Sequence, residues 1–259
     1  MGPAATLQID AYRTTRRIFV VIGVLTFLHV LTLIARYGFG DPWLHGFVPM
    51  FDTDHEKNAP TYLSAVNMLW CAELLAMIAV LERRRASAAF SGWVMLTVIF
   101  VLLPFDELFE LHERIGRALH DTLHTSGIFG FAWVIPYGIL TIACAALLLR
   151  LLARAPADTR LRLIVSGVVY VTGTIGFEML GAKILEGTGD EHTLVYALCA
   201  TVEELLEMSG IALLTRALLL HLAALGAVSE VTAVAQTAAQ ATLQPEAALN
   251  AAPRVRSTG

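Results

Sequence analysis

Two acidic pentads carry most of the chemistry open to this sequence. Glu203-Glu204-Leu205-Leu206-Glu207 lies inside an apolar run over about 193–222, and Asp106-Glu107-Leu108-Phe109-Glu110 closes another. A run of about 20 apolar residues spans the hydrocarbon core of a bilayer. An ionised acid at the centre of such a helix costs about 2.5–3.5 kcal/mol, and three cost on the order of 8–10. Protons, cationic side chains or a metal ion must therefore neutralise them. Glu203 and Glu207 stand four residues apart and share a helix face. At 100° per residue Asp106, Glu110 and Glu113 fall on one stripe of a continued third helix. Glu178 and Glu73 add single acids to two further apolar runs, and His29 sits in the first.

Further groups could join these acids. Glu107 and Glu204 are the second acids of each pentad, and His112 follows the first. His120 and His124 stand four residues apart in a polar stretch, where unliganded surface histidines are the plainer reading. The segment Phe51-Asp52-Thr53-Asp54-His55-Glu56 is dense in oxygen ligands, so Asp54 and His55 are candidates for a cover over the site. It lacks the spacing of an EF-hand loop. An all-oxygen set favours Mg, Ca or Mn, and a histidine would admit Fe or Zn. Without a metal, the same acids are proton carriers or simply protonated groups bonding between helices.

The elements that must position them are legible in the hydropathy. The 259 residues are 56 % hydrophobic and 15 % charged, with a mean hydropathy of +0.66, a composition of multi-pass membrane proteins. Six spans are expected at about 18–35, 60–81, 88–109, 128–151, 161–185 and 193–222, an all-α bundle over 1–222. A short interfacial helix falls in 115–126. Residues 223–259, rich in Ala, Thr and Gln, read as a disordered tail. Arginines precede span 1 and fill the loops after spans 2 and 4, whereas the loops after spans 1 and 5 are acidic. Both termini are therefore expected in the cytoplasm of a bacterial inner membrane, with the acids in the outer halves of the helices. Cys71, Cys144 and Cys199 lie in apolar runs and read as small buried hydrophobes.

The charge balance of −4 points to no nucleic-acid partner. No His-Glu-x-x-His, Walker loop or Gly-x-Ser-x-Gly is present, which leaves zincin, nucleotide-driven and serine-hydrolase chemistry without support. Three stretches together carry a resemblance: Leu103-Pro104-Phe105-Asp106-Glu107 with Leu111-His112-Glu113, Phe177-Glu178-Met179-Leu180-Gly181, and Thr201 to Gly210 around the second pentad. They resemble an uncharacterised group of bacterial multi-pass membrane proteins, which implies six spans and no assigned activity. Ser64, Asp106 and His120-x-x-x-His124 are also similar in type to the Ser, Asp and His-x-x-x-His of alkaline-ceramidase-like hydrolases. That family has seven spans and its histidine pair late in the chain, and this sequence departs on both counts.

Three functions remain open. The first is cation or proton-coupled transport, with Glu203 and Glu207 central, Asp106, Glu110 and Glu178 at the entry, and the loop around Asp54 as a lid. The second is a membrane-embedded enzyme whose divalent metal acts on a lipid or other apolar substrate. The third is an accessory subunit whose acids only pair between helices. The inner halves of the spans read as almost wholly apolar, which favours a one-sided site. Neither the substrate nor the oligomeric state is legible.

Overall fold

The structure is a computed structural model that describes residues 10–55 and 57–226. Six helices are long and apolar enough to cross a membrane. The first is α1 (Ala11–Leu33), capped by the Asp10 carboxylate on the amides of Tyr12 and Arg13, and prolonged by a π-helical turn, Ile34–Gly38. A short helix α2 (Phe47–Phe51) folds back along it. Next come α3 (Ala59–Arg84) and α4 (Phe90–Phe109), a tight hairpin through the basic turn at Arg83, Arg84 and Arg85. Asn58 caps α3 on the Thr61 amide, with Pro60 in the first turn where its missing N–H costs nothing.

The chain then turns at the end of α4. The short amphipathic α5 (Leu111–Leu123) precedes α6 (Val134–Arg154). The fifth span is α7 (Ala157–Val171), a π-helical stretch Thr172–Phe177 and α8 (Glu178–Thr188), in one continuous run. The last is α9 (Leu194–Ala224), capped by Thr193. It runs just past the expected end of the bundle, and from residue 227 the expected tail lies outside the described residues. Helix α9 is the centre: 67 % of its most apolar window is buried, against 11 % in α6. It packs against α1, α3 and α7. Gly210 lets α7 and α9 touch, since a Cβ there would stand 2.7 Å from the Tyr170 amide nitrogen. Small residues at such crossings let helix backbones approach in a membrane.

One local expectation fails. The stripe of Asp106, Glu110 and Glu113 requires a helix running through Glu110. Instead Glu110 adopts a left-handed conformation, φ 52°, and ends α4. Glu110 and Glu113 therefore belong to the break and to α5, whose axis no longer follows that of α4. Pro104, by contrast, sits within an unbroken α4, where its ring leaves the Phe100 carbonyl without its usual amide donor.

Candidate functional site

Helix α9 sets out a stripe of Tyr196, Ala200, Glu203 and Glu207, spaced by four, three and four residues. Facing it is the π-helical stretch before Glu178. A π turn inserts one extra residue per turn and often marks a functional position. Here it brings Gly173 onto α9, so close that a Cβ would lie 2.8 Å from the Glu203 carbonyl oxygen and 3.0 Å from Glu207 Cγ. Glycine is what allows the two acidic helices this approach.

Carboxyls then gather along this face. Glu203 has Glu178 as its hydrogen-bonding neighbour, and the Trp133 indole donates to Glu178 Oε1 at 2.9 Å. Glu207, buried at 9 % exposure, faces Glu107 and the Thr174 hydroxyl, with Glu178 and His112 further off. Beside them Asp106 accepts from the Tyr137 hydroxyl at 2.7 Å and stands 3.2 Å from His112 Nδ1. The His112 ring lies 4.9 Å from that of Trp133. Four elements (α4, α5, the start of α6 and α8) thus close around the acids of α9.

Above these acids lies a cavity of about 740 Å³. Asp54 and His55 line its mouth from the first loop, Glu191 and His192 from the loop before α9. The stripe His112, Gly116 and His120 of α5 forms one wall, residues 130–133 another, and Glu178, Glu203 and Glu204 the floor. The loop over it is pinned. Asp52, 1 % exposed, holds the Arg36 guanidinium at 3.1 Å, and Arg36 reaches His192 at 2.9 Å. The Thr53 amide donates to His29 Nδ1 at 3.1 Å. The other ring nitrogen therefore carries the hydrogen, 2.8 Å from the Thr201 hydroxyl. That places His29 as a neutral tie between the loop, α1 and α9. Outside the spans, burial first and the neighbouring Asp52 charge second push the Asp54 carboxyl up to about 7.

The remaining candidates lie elsewhere. Glu110 forms an ion pair with Lys57, whose hydrogen bond and charge hold its carboxyl below the usual range. Glu113 is exposed and pairs with Arg117 at 3.1 Å while facing the cavity rim. His124 is exposed at the C-terminal end of α5, and His120 bonds Thr125 at 3.2 Å. Ser64 is buried in α3 and does not line the cavity that His120 lines. Glu73 does not join the cluster: it is exposed near the middle of α3, on the face of Val66, Leu69 and Met77. Among the described residues no three His, Cys, Asp or Glu side chains converge as metal ligands. The sequence does not single out Arg36, Thr174, Thr201, Trp133 or Tyr137 for the site. No local motif distinguishes them.

The opposite half is less apolar than the hydropathy suggests. Thr215 bonds Cys71 at 3.2 Å beside Asn67, and His221 Nδ1 lies 3.1 Å from the Thr159 hydroxyl and stacks on Trp93. Glu82 is buried near them at 8 % exposure.

Residues 12–222 match a family described as Domain of unknown function (DUF8692). The chain belongs to that family. The DUF8692 match takes in all six spans and stops two residues short of the end of α9, so every wall of the cavity falls within it. No curated protein and no solved structure matches the chain. The six apolar helices mark a membrane protein, and the family brings no activity with it.

Proposed function

We propose that this membrane protein binds protons and a cation at the carboxylates above the midplane of α9, and couples the two in transport. The observation that carries the reading is the gathering of Glu178, Glu203 and Glu204 on one cavity floor, with Glu207 buried beside them where Gly173 meets α9. Carboxyls placed together in a low-dielectric interior do not all stay ionised, so such a set exchanges a proton against another positive charge. The buried polar groups Thr215, Asn67, His221 and Thr159 extend polar contacts into the other half, as a route through the bundle requires. The arginines at Arg83–Arg85, Arg154 and Arg160 favour that end as cytoplasmic, so the cavity opens outward and both termini face inward.

The test is proton movement in sealed proteoliposomes carrying a pH dye. A cation gradient should drive a pH change through the wild type, and Glu203→Gln and Glu207→Gln should each abolish it. Absence of any proton movement in the wild type, with a stoichiometric metal retained through purification and lost in Glu203→Gln, overturns the reading in favour of a metal enzyme.

A further inference from the structure

His221 stands in the other half of the bundle from the carboxylates, yet on their line. From Glu203 to His221 α9 runs eighteen residues, or five whole turns, so the two side chains leave the same side of the helix about 27 Å apart. His221 is 4 % exposed, and its Nε2 is buried without a hydrogen-bonding partner among the described residues. Nδ1 is engaged, 3.1 Å from the Thr159 hydroxyl. In either tautomer Nε2 holds a lone pair or a hydrogen that nothing satisfies, at a cost of about 1–3 kcal/mol. Such a cost at one buried atom points to a second state in which that atom is used.

The surroundings suit a positive ring. From α4 the Trp93 indole stacks on the imidazole, with centroids 5.0 Å apart and planes 21° from parallel. An aromatic face attracts positive charge lying over it. From the end of α3, buried Glu82 and Arg85 stand within charge range of the ring. Arg85 donates to the Leu225 carbonyl at 2.6 Å, and Glu82 is the negative charge that an imidazolium meets. From α7 the ring meets Thr159, while Asp158 and Arg162 of that helix pair with each other at 3.7 Å. We propose that His221 is a second proton-binding site, at the arginine-rich end of the bundle. Nδ1 keeps its hydrogen on the Thr159 oxygen, and the Nε2 lone pair takes a proton from water at that end. The N–H bond so formed breaks when the proton is handed on, and Glu82 balances the charge in between. The proposal deepens the proton-coupled reading, on which the site's place in a transport route rests.

Nitrogen NMR of the full chain in nanodiscs, with isotope-labelled histidine, reads the ring directly. A neutral imidazole gives two well-separated nitrogen signals and an imidazolium two similar ones. Signals lost in His221→Gln belong to this ring. Thr159→Val, which removes the partner of Nδ1, marks them by a shift if His221→Gln does not fold. The ring should pass from neutral to imidazolium between about pH 8 and about pH 5. Glu82→Gln keeps the ring and should lower the midpoint by about one pH unit or more. In sealed proteoliposomes His221→Gln should slow proton movement by at least about tenfold. A ring that stays neutral over that range, holding a water at most, overturns the site, as does a midpoint unmoved by Glu82→Gln. A ring that titrates while His221→Gln carries protons as fast as the wild type overturns its place on the route. If the wild type moves no protons and the ring still titrates with Glu82, the transport reading falls and the proton site stands.

Discussion

Gly210→Ala is the sharpest test of how α7 and α9 are joined. The added Cβ would stand 2.7 Å from Tyr170 N and Cβ and 2.8 Å from its Cα. Carbon atoms pack at about 3.5–4.0 Å, so the helices must separate by about 1 Å at the crossing. Two of the three obstructing atoms are backbone, so no rotamer change relieves the clash. Overpacking of this kind costs about 1–3 kcal/mol, and the intrinsic preference of a helix for Ala over Gly returns up to about 1. The net expectation is a loss of about 1–2 kcal/mol, which at 2–4 °C per kcal/mol lowers Tm by about 2–8 °C. Gly167→Ala, on the same helix pair but with nothing within 4 Å of its added Cβ, is the control and should be neutral or slightly stabilising. Thermal unfolding in one detergent, followed by intrinsic fluorescence, reads both. A Gly210→Ala protein as stable as Gly167→Ala would refute the close crossing. Because Gly210 is one turn from Glu207, the separation should also disturb proton movement beyond what stability explains.

Three other expectations concern charge. Arg36→Gln leaves Asp52 buried without its cation and should cost about 3–5 kcal/mol, seen as a lowered Tm, with most of it recovered in Arg36→Gln/Asp52→Asn. The folded Asp54 keeps its proton up to about 7, whereas the unfolded chain loses it near 4; the folded state therefore binds more protons in between, and stability should fall as pH rises from about 4 to about 7. Asp54→Asn should flatten that slope in Tm measured across this range, and an unchanged slope would place the titration elsewhere. Glu73→Leu removes an acid from an outward face at mid-span and should raise stability by up to about 2.5–3.5 kcal/mol, while a loss would show that this face is covered by a partner.

The six spans were readable because each is a run of apolar residues with a basic or acidic stop, and neither signal depends on tertiary packing. Glu178 and Glu203 stand out for a reason that needs no structure, since carboxylates among apolar neighbours are costly, whereas Asp54 stands out because its loop is dense in oxygen ligands. What stayed hidden depends on conformation. The left-handed turn at Glu110 has no glycine or asparagine to announce it, so the helical stripe was drawn straight through the break. The π turn at Thr172–Phe177 shifts side chains by a fraction of a turn, which a 3.6-residue wheel cannot represent. Glu73 was grouped with the other acids by depth, and depth says nothing about azimuth. Trp133 has the composition of an interfacial anchor, and only its indole aimed at Glu178 gives it another role.

The break at Glu110 also changes what the cavity is made of. Because the chain turns there, His112, Gly116 and His120 belong to an amphipathic helix whose neighbouring face exposes Leu111 and Ile115. Such a face suits the boundary between acyl chains and headgroups, which would put lipid behind one side of the cavity. Bilayer thickness and headgroup charge should then alter proton movement through the protein, which makes the liposome lipid itself an experimental variable.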